Sequence, residues 1–447
     1  MLIVMVLIAH TIENAQAQLT VEVRNSTGQI LSREVTSDKI LPRLSFAPNL
    51  HPAYGTWTYA IIFFNLVLGA IGMLYRKRIS FTRFIIERTS NFEVSKKITF
   101  FTLAGMLLLF ITLNYDRLLQ EETFLDYTGN VKPEAENYEV TSPFGEDAYE
   151  GNRILLQVRA FLNHLSLRLF GLITIIPFLA SLVLLILVYL TTLEITRKRF
   201  AGILAFAFLL QSPIFAYYSA SPTYNNYWAV FFLLSLYLVV KRSVVSPAAF
   251  YLSISSKSFA ALFAPFNAFF LARSDSSSRR KVTLIIPYAA FIAIIAVIVA
   301  RGGIEGVRLA VDGDEFWAGI NSVPILLQKE GLFLVIILPI VIGLFLAMRR
   351  GVRFADAVCL LIGGTFLTYA LLEGLTNVAN LDYRMVPLIV SAGIGLGTIF
   401  SNDRGRSPPR TWENSMFAGI FIFTSIFAFI TVTTFIFPVL YSDQNFR

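Results

Sequence analysis

Apolar residues in this chain come in long runs. Predominantly apolar stretches cover approximately 57–75, 98–114, 169–192, 200–217, 226–240, 282–300, 332–348, 354–373, 386–400 and 415–440. About 20 apolar residues, at about 1.5 Å each, span the roughly 30 Å hydrocarbon core of a bilayer. The pattern therefore predicts an all-α polytopic membrane protein with about 10 transmembrane helices. The composition agrees: 55% of residues are hydrophobic and 14% aromatic, against 15% charged, and the mean hydropathy is +0.65. Soluble domains lack such repeated runs.

The polar positions between the runs set an orientation. Arg76-Lys77-Arg78, Arg197-Lys198-Arg199, Lys241-Arg242, Arg279-Arg280-Lys281, Arg349-Arg350 and Arg404 with Arg406 form short basic clusters. Basic loops stay on the cytoplasmic side, so both termini are expected outside, in a multi-pass cell-membrane protein. This distribution also accounts for the net charge of +8 without nucleic acid as a partner. One apolar segment, 248–271, is bracketed by basic clusters on both sides. A single crossing would invert every later loop, so the expectation is a helical hairpin entering and leaving on the cytoplasmic side, broken near "SISSK" with Lys257 at its turn. Polar backbone at that depth must be buried in protein or line a cavity.

The amino terminus has a short apolar core, Leu2–Ala9, and an A-x-A pattern at Ala15-Gln16-Ala17. It lacks a basic n-region, which leaves a cleaved signal peptide 1–17 and an uncleaved start both open. Residues 18–56 read as a small extracytoplasmic segment in which alternating Leu19, Val21 and Val23 ahead of "NSTG" predict a hairpin. Residues 57–97 hold the first span and a basic loop, and 98–440 the main transmembrane domain. The lone cysteine, Cys359, excludes an intramolecular disulfide.

Within that domain the loop 115–168 is long and acidic, and the basic-loop rule places it outside. It carries Asp116, Asp126, Glu146 and Asp147 among its carboxylates. Its later part should be an amphipathic interface helix, because Ile154, Leu155, Val158, Phe161, Leu162 and Leu165 recur at helical spacing. Asp147 would sit near the head of that helix.

This layout resembles the GT-C superfamily of membrane glycosyltransferases, which includes protein mannosyltransferases and oligosaccharyltransferase catalytic subunits. The resemblance covers roughly 98–400 and rests on the acidic outer loop with its interface helix, the span ending near Ser212-Pro213, "AAFYLSISSKSFAALFAPFNAFFLAR" with its central lysine, and "NLDYRMVPLIVSAGIGLG". It implies transfer of a sugar from a polyprenyl-phosphate-linked donor to an acceptor outside the membrane. It also implies catalytic carboxylates in the first outer loop, with Asp147 first and Asp126, Asp116 and Glu146 behind it. Two departures stand out: there is no D-x-D in that loop, and Tyr224-Asn225-Asn226 occupies the place of an acidic triplet. A monosaccharide transferase fits better than an oligosaccharyl one.

Such a transfer needs a base for the acceptor and cations for the leaving phosphate. Arg384, just ahead of a span with Pro387 in its first turn, is the expected phosphate ligand, serving the lipid more than the fold, and Lys257 is the second cation. Asp312 and Asp314 in "VDGDEFW" are the candidates for a divalent metal such as Mg or Mn, competing with a solvated turn. The lack of a metal-spaced His/Cys set argues against zinc, and the lack of a Walker lysine against an ATP-driven pump. The alternatives are a secondary transporter or flippase, disfavoured by spans nearly free of charge and by the absence of an internal repeat, and a non-catalytic membrane assembly protein.

Overall fold

A computed structural model describes residues 22–24, 30–33, 57–76, 92–124, 126–138, 153–274, 276–302, 313–349, 351–375 and 382–401. The leader, Glu146, Asp147, Asp312 and the 415–440 stretch lie outside the described residues. The amino-terminal hairpin is present: β1 (Glu22–Arg24) pairs antiparallel with β2 (Ile30–Arg33), Glu22 opposite Arg33. The rest of the described chain is helical. In order, the helices are α1 (Trp57–Arg76), α2 (Lys96–Leu113), α3 (Tyr115–Leu119), α4 (Lys132–Glu136), α5 (Arg153–Phe170), α6 (Ile175–Thr196), α7 (Arg199–Leu210) and α8 (Pro213–Tyr217). There follow α9 (Tyr227–Val240), α10 (Ser246–Ser256), α11 (Ala264–Arg273), α12 (Ser278–Gly302), α13 (Gly313–Leu327), α14 (Gly331–Arg349), α15 (Ala355–Leu375) and α16 (Val386–Ile399).

Four of these are long and apolar enough to cross a membrane: Lys96–Leu113, Ile175–Thr196, Gly331–Arg349 and Ala355–Gly374. The last three are 50–67% buried, whereas the first is 11% buried. Helix α2 thus turns Ile98, Phe100, Phe101, Leu108, Leu109 and Leu113 outward, as a helix bordering lipid would. The centre is α6, α7, α9, α15 and α16. Gly393 and Gly397 let α16 lie on α7: a Cβ at Gly397 would come 2.7 Å from the Ala201 carbonyl oxygen, and one at Gly393 3.1 Å from that of Ala205.

Two expected spans are redrawn. The stretch 169–192 starts as a membrane helix only at Ile175, because α5 runs on to Phe170 and Gly171 turns the chain in the left-handed region at φ 70°. Ser166 secures that corner, donating to the Leu172 carbonyl and accepting from the Ile176 amide. The stretch 200–217 is broken in two, since Ser212 caps α8 by accepting from the Phe215 amide, with Pro213 opening the helix. The "VDGDEFW" stretch also differs from the loop expected. From Gly313 onward it is helical, in α13, which packs so closely on α15 that a Cβ at Gly319 would overlap the Glu373 carbonyl.

The bundle has two chemically distinct ends. At one, Glu194 bridges Arg197 (2.7 Å) and Lys241 (2.5 Å), Arg199 meets Glu93, and Arg273 pairs with Asp356. At the other lie α3, α4, α5, α8 and the turn 382–385, joined by Thr174 to the Leu118 carbonyl, Asn163 to the Pro222 carbonyl and His164 to the Ala135 carbonyl. Buried Glu330 belongs to this second end, accepting from the Ser212 hydroxyl (2.5 Å) and the Ile214 amide (2.9 Å) and so fastening the start of α14 to the cap of α8.

Burial pushes the Glu330 carboxyl up to about 8, against the hydrogen bonds from Ser212 and Ile214, with Asp382 adding to the rise. The folded protein therefore holds a proton here that the unfolded chain releases in the ordinary carboxylate range. Stability from this group is full at acid pH and falls by about 1.4 kcal/mol per pH unit as pH rises toward about 8. Glu330→Gln keeps an acceptor for both bonds, so a thermal midpoint measured in detergent should lose that slope. A mutant with the wild-type slope would place the titration elsewhere.

In the expected interface helix, Arg159, Asn163 and Ser166, spaced along one face of α5, are buried against protein, while on the apolar stripe Phe161 is exposed and Val158, Leu162 and Leu165 are half-buried.

Candidate functional site

The segment 246–273 is a hairpin. Its base is at the basic end: Ser246 bonds Ser235 and Tyr288, and Arg273 pairs with Asp356 at the start of α15. Helix α10 then runs toward the opposite end, where Ser253 donates to the carbonyl of Trp228, at the head of α9. It stops at Lys257, extended at φ −154° and ψ 119°, after Ser256, whose hydroxyl donates to the Leu252 carbonyl. A 3₁₀ turn, Ser258–Phe263, and α11, opened by Pro265, carry the chain back. The tip therefore stands at the end opposite the flanking basic loops, with Lys257 at its turn as expected.

At the tip Lys257 meets the 3₁₀ turn Asp382–Met385 that leads into α16. Its ammonium is 5.2 Å from the centre of the Tyr383 ring. The ring is held by stacking on Tyr224 at 4.9 Å, with Tyr218 and Phe259 at its edges. Arg384 is buried, pairs with fully buried Glu373 at 3.2 Å and donates to the Leu372 carbonyl at 3.3 Å. Arg159 of α5 comes from the other side. It is 5% exposed and bonds Glu134 at 2.8 Å, while its Nε is buried without a hydrogen-bond partner among the described residues. Arg159 and Asp126 both lie within electrostatic reach of Lys257, the arginine lowering and the carboxylate raising its proton affinity; burial is the largest influence and holds it below the usual lysine value.

Carboxylates border these cations. Asp126 precedes a π-helical turn, Tyr127–Val131, and accepts from Asn130 at 2.7 Å. Glu122 accepts from the Thr223 hydroxyl at 2.5 Å and from its amide at 3.3 Å. Burial raises the Glu122 carboxyl, opposed by hydrogen bonds from Ser221 and Thr223 and helped by Asp126.

Of the residues expected from sequence, Asp126, Lys257 and Arg384 come together here. Asp116 is exposed on α3 and is not brought to them. Asp314 falls in the first turn of α13. Tyr383, Arg159, Glu122 and Glu373 were not expected; the only local signal was Tyr383 beside Arg384 at the head of a span. Asn225 and Asn226 make structural bonds: Asn225 donates to the Pro222 carbonyl and Asn226 to the Ser181 hydroxyl. Among the described residues no three His, Cys, Asp or Glu side chains could hold a metal ion. No family model, curated protein or solved structure matches the chain.

Proposed function

We propose that the chain is a membrane glycosyltransferase that takes a sugar from a polyprenyl-phosphate-linked donor and hands it to an acceptor hydroxyl on the extracytoplasmic side. The observation that carries this reading is the meeting of Lys257 and Arg384 on Tyr383, opposite Asp126, at the end of the bundle away from the basic loops. In a low-dielectric site two fixed cations favour charge that develops on a leaving phosphate. Asp126 takes the acceptor proton as the hydroxyl oxygen bonds the anomeric carbon. The bond from that carbon to the phosphate oxygen breaks, and the lipid phosphate leaves with the electron pair. Helix α5, with Phe161 outward on its apolar stripe, sets the site at the depth of lipid head groups.

In the same reading the other apolar helices complete about ten spans, both termini lie outside, and the hairpin enters from the cytoplasm. The polyprenyl-phosphate sugar and the bilayer are the partners. Purified protein in liposomes with a labelled polyprenyl-phosphate hexose and a membrane-extract acceptor should release lipid phosphate in step with sugar transfer. Donor that changes leaflet without losing its sugar would instead identify a flippase.

A further inference from the structure

Four aromatic side chains close into one group beside the cations. Phe124 meets Tyr224 at 4.9 Å and Tyr217 at 6.5 Å between ring centres, and Tyr218 joins those two tyrosines at 5.7 and 4.8 Å. Each of these pairs stands near a right angle, between 75° and 89°. Tyr218 is the buried corner, Phe124 and Tyr224 are half-buried, and Tyr217 is 54% exposed. Tyr224 in turn stacks on Tyr383, the ring that Lys257 meets. A continuous aromatic surface thus begins at an exposed rim and ends at the lysine. We propose that its accessible rings, Tyr217, Phe124 and Tyr224, are the stacking platform for the donor's sugar, a neutral pyranose. The inference rests on the reading of this site as one for a sugar carried on a lipid phosphate.

A pyranose has two unlike surfaces. Its hydroxyls point outward around the rim, while ring C–H bonds, polarised by the neighbouring oxygens, gather on its faces. Aromatic rings are negative on their faces, so the C–H face of a sugar settles on them. The hydroxyls at the edge then need acceptors, and carboxylates accept only. Glu122 stands two residues before Phe124 and is tied to Thr223, next to Tyr224; Asp126 stands two residues after Phe124. The same carboxylates repel an acidic sugar, which is why the proposed ligand is neutral. Rings braced by perpendicular neighbours are already in place, so little freedom is lost when the sugar arrives. The anomeric carbon is bonded directly to the phosphate, so a platform for the sugar has to adjoin the cations, as this one does. Company distinguishes Tyr217 from the aromatics of α2. Phe100 and Phe101 touch each other on a helix that is 11% buried, whereas Tyr217 lies 5.5 Å beneath the Arg117 guanidinium and against rings that lead to Lys257.

The test uses the full chain in detergent and two probes of equal charge: a short-chain isoprenyl-phosphate hexose, and the matching isoprenyl methyl phosphate, which lacks only the sugar. Titration calorimetry gives a Kd for each. The wild type should prefer the hexose probe by about tenfold or more, the sum of several ring contacts. Tyr217→Ala, at an exposed position, should reduce that preference by about 3–10-fold, the size of one such contact, with the methyl probe bound as before. Tyr217→Trp keeps a ring and should keep the preference. Phe124→Leu, apolar but not aromatic, should behave as Tyr217→Ala does, its thermal midpoint serving as the check on folding. Equal Kd values for the two probes in the wild type overturn this inference and leave the lipid-phosphate reading standing. So does a preference untouched by Tyr217→Ala and Phe124→Leu, or a loss that both probes share alike. A wild type that binds neither probe removes both readings.

Discussion

Asp126→Asn lowers sugar transfer by about 10²–10⁴-fold, the usual contribution of a general base, while the donor still binds. The asparagine keeps the size and the bond from Asn130 but cannot take the acceptor proton. Lys257 lies within electrostatic reach of this carboxylate. Two controls bracket the result. Asp116→Asn alters an exposed residue on α3 and should leave turnover near wild type. Glu122→Gln should be mild, because Glu122 is tied to Thr223 and burial favours its neutral form. Asp147→Asn is the decisive comparison. If it is dead while Asp126→Asn is active, the base belongs to the 139–152 stretch and the donor site keeps its cations.

Arg384→Ala should destabilise the protein by about 3–5 kcal/mol, the cost of leaving one partner of a buried pair uncompensated. From sequence alone the arginine reads as serving the lipid more than the fold. Its ion pair with Glu373, whose side chain has 0% exposure, changes that expectation. The measurement is the thermal midpoint together with the yield of folded protein in detergent. Arg384→Met combined with Glu373→Met removes both charges and should recover most of the loss, yet bind the lipid-phosphate probe poorly. An Arg384→Ala protein with the wild-type midpoint would return the residue to a purely ligand-facing role.

Much of the helical layout was legible because lipid selects for run length, which a sequence states directly. The hairpin was legible for a related reason: basic residues cannot change sides, so clusters flanking 248–271 imply return to the side of entry. Helix α13 was not legible, since its first turn is polar and its place depends on Gly319 meeting the backbone of α15. Likewise the apolar stripe of α5 announced a helix but not that Arg159 and Asn163 would be the buried residues. The site divides in the same way. Lys257, Arg384 and Asp126 stand out as charges beside apolar runs, whereas Tyr383 and Glu122 acquire their roles from neighbours far along the chain, Lys257 for one and Thr223 for the other.

The hairpin also constrains the order in which the protein can be made. Its tip emerges from the ribosome long before residue 383, so Lys257 reaches the membrane without the Tyr383 ring that it meets in the folded protein. Its base, at Arg273, must wait for Asp356. Until α15 and α16 have been synthesised the hairpin lacks its Asp356 contact at the base and its Tyr383 contact at the tip. Assembly of the hairpin tip with the 382–385 turn is thus a late, long-range event of biogenesis. A chain cut short before residue 382 would carry the lysine but no site to receive it.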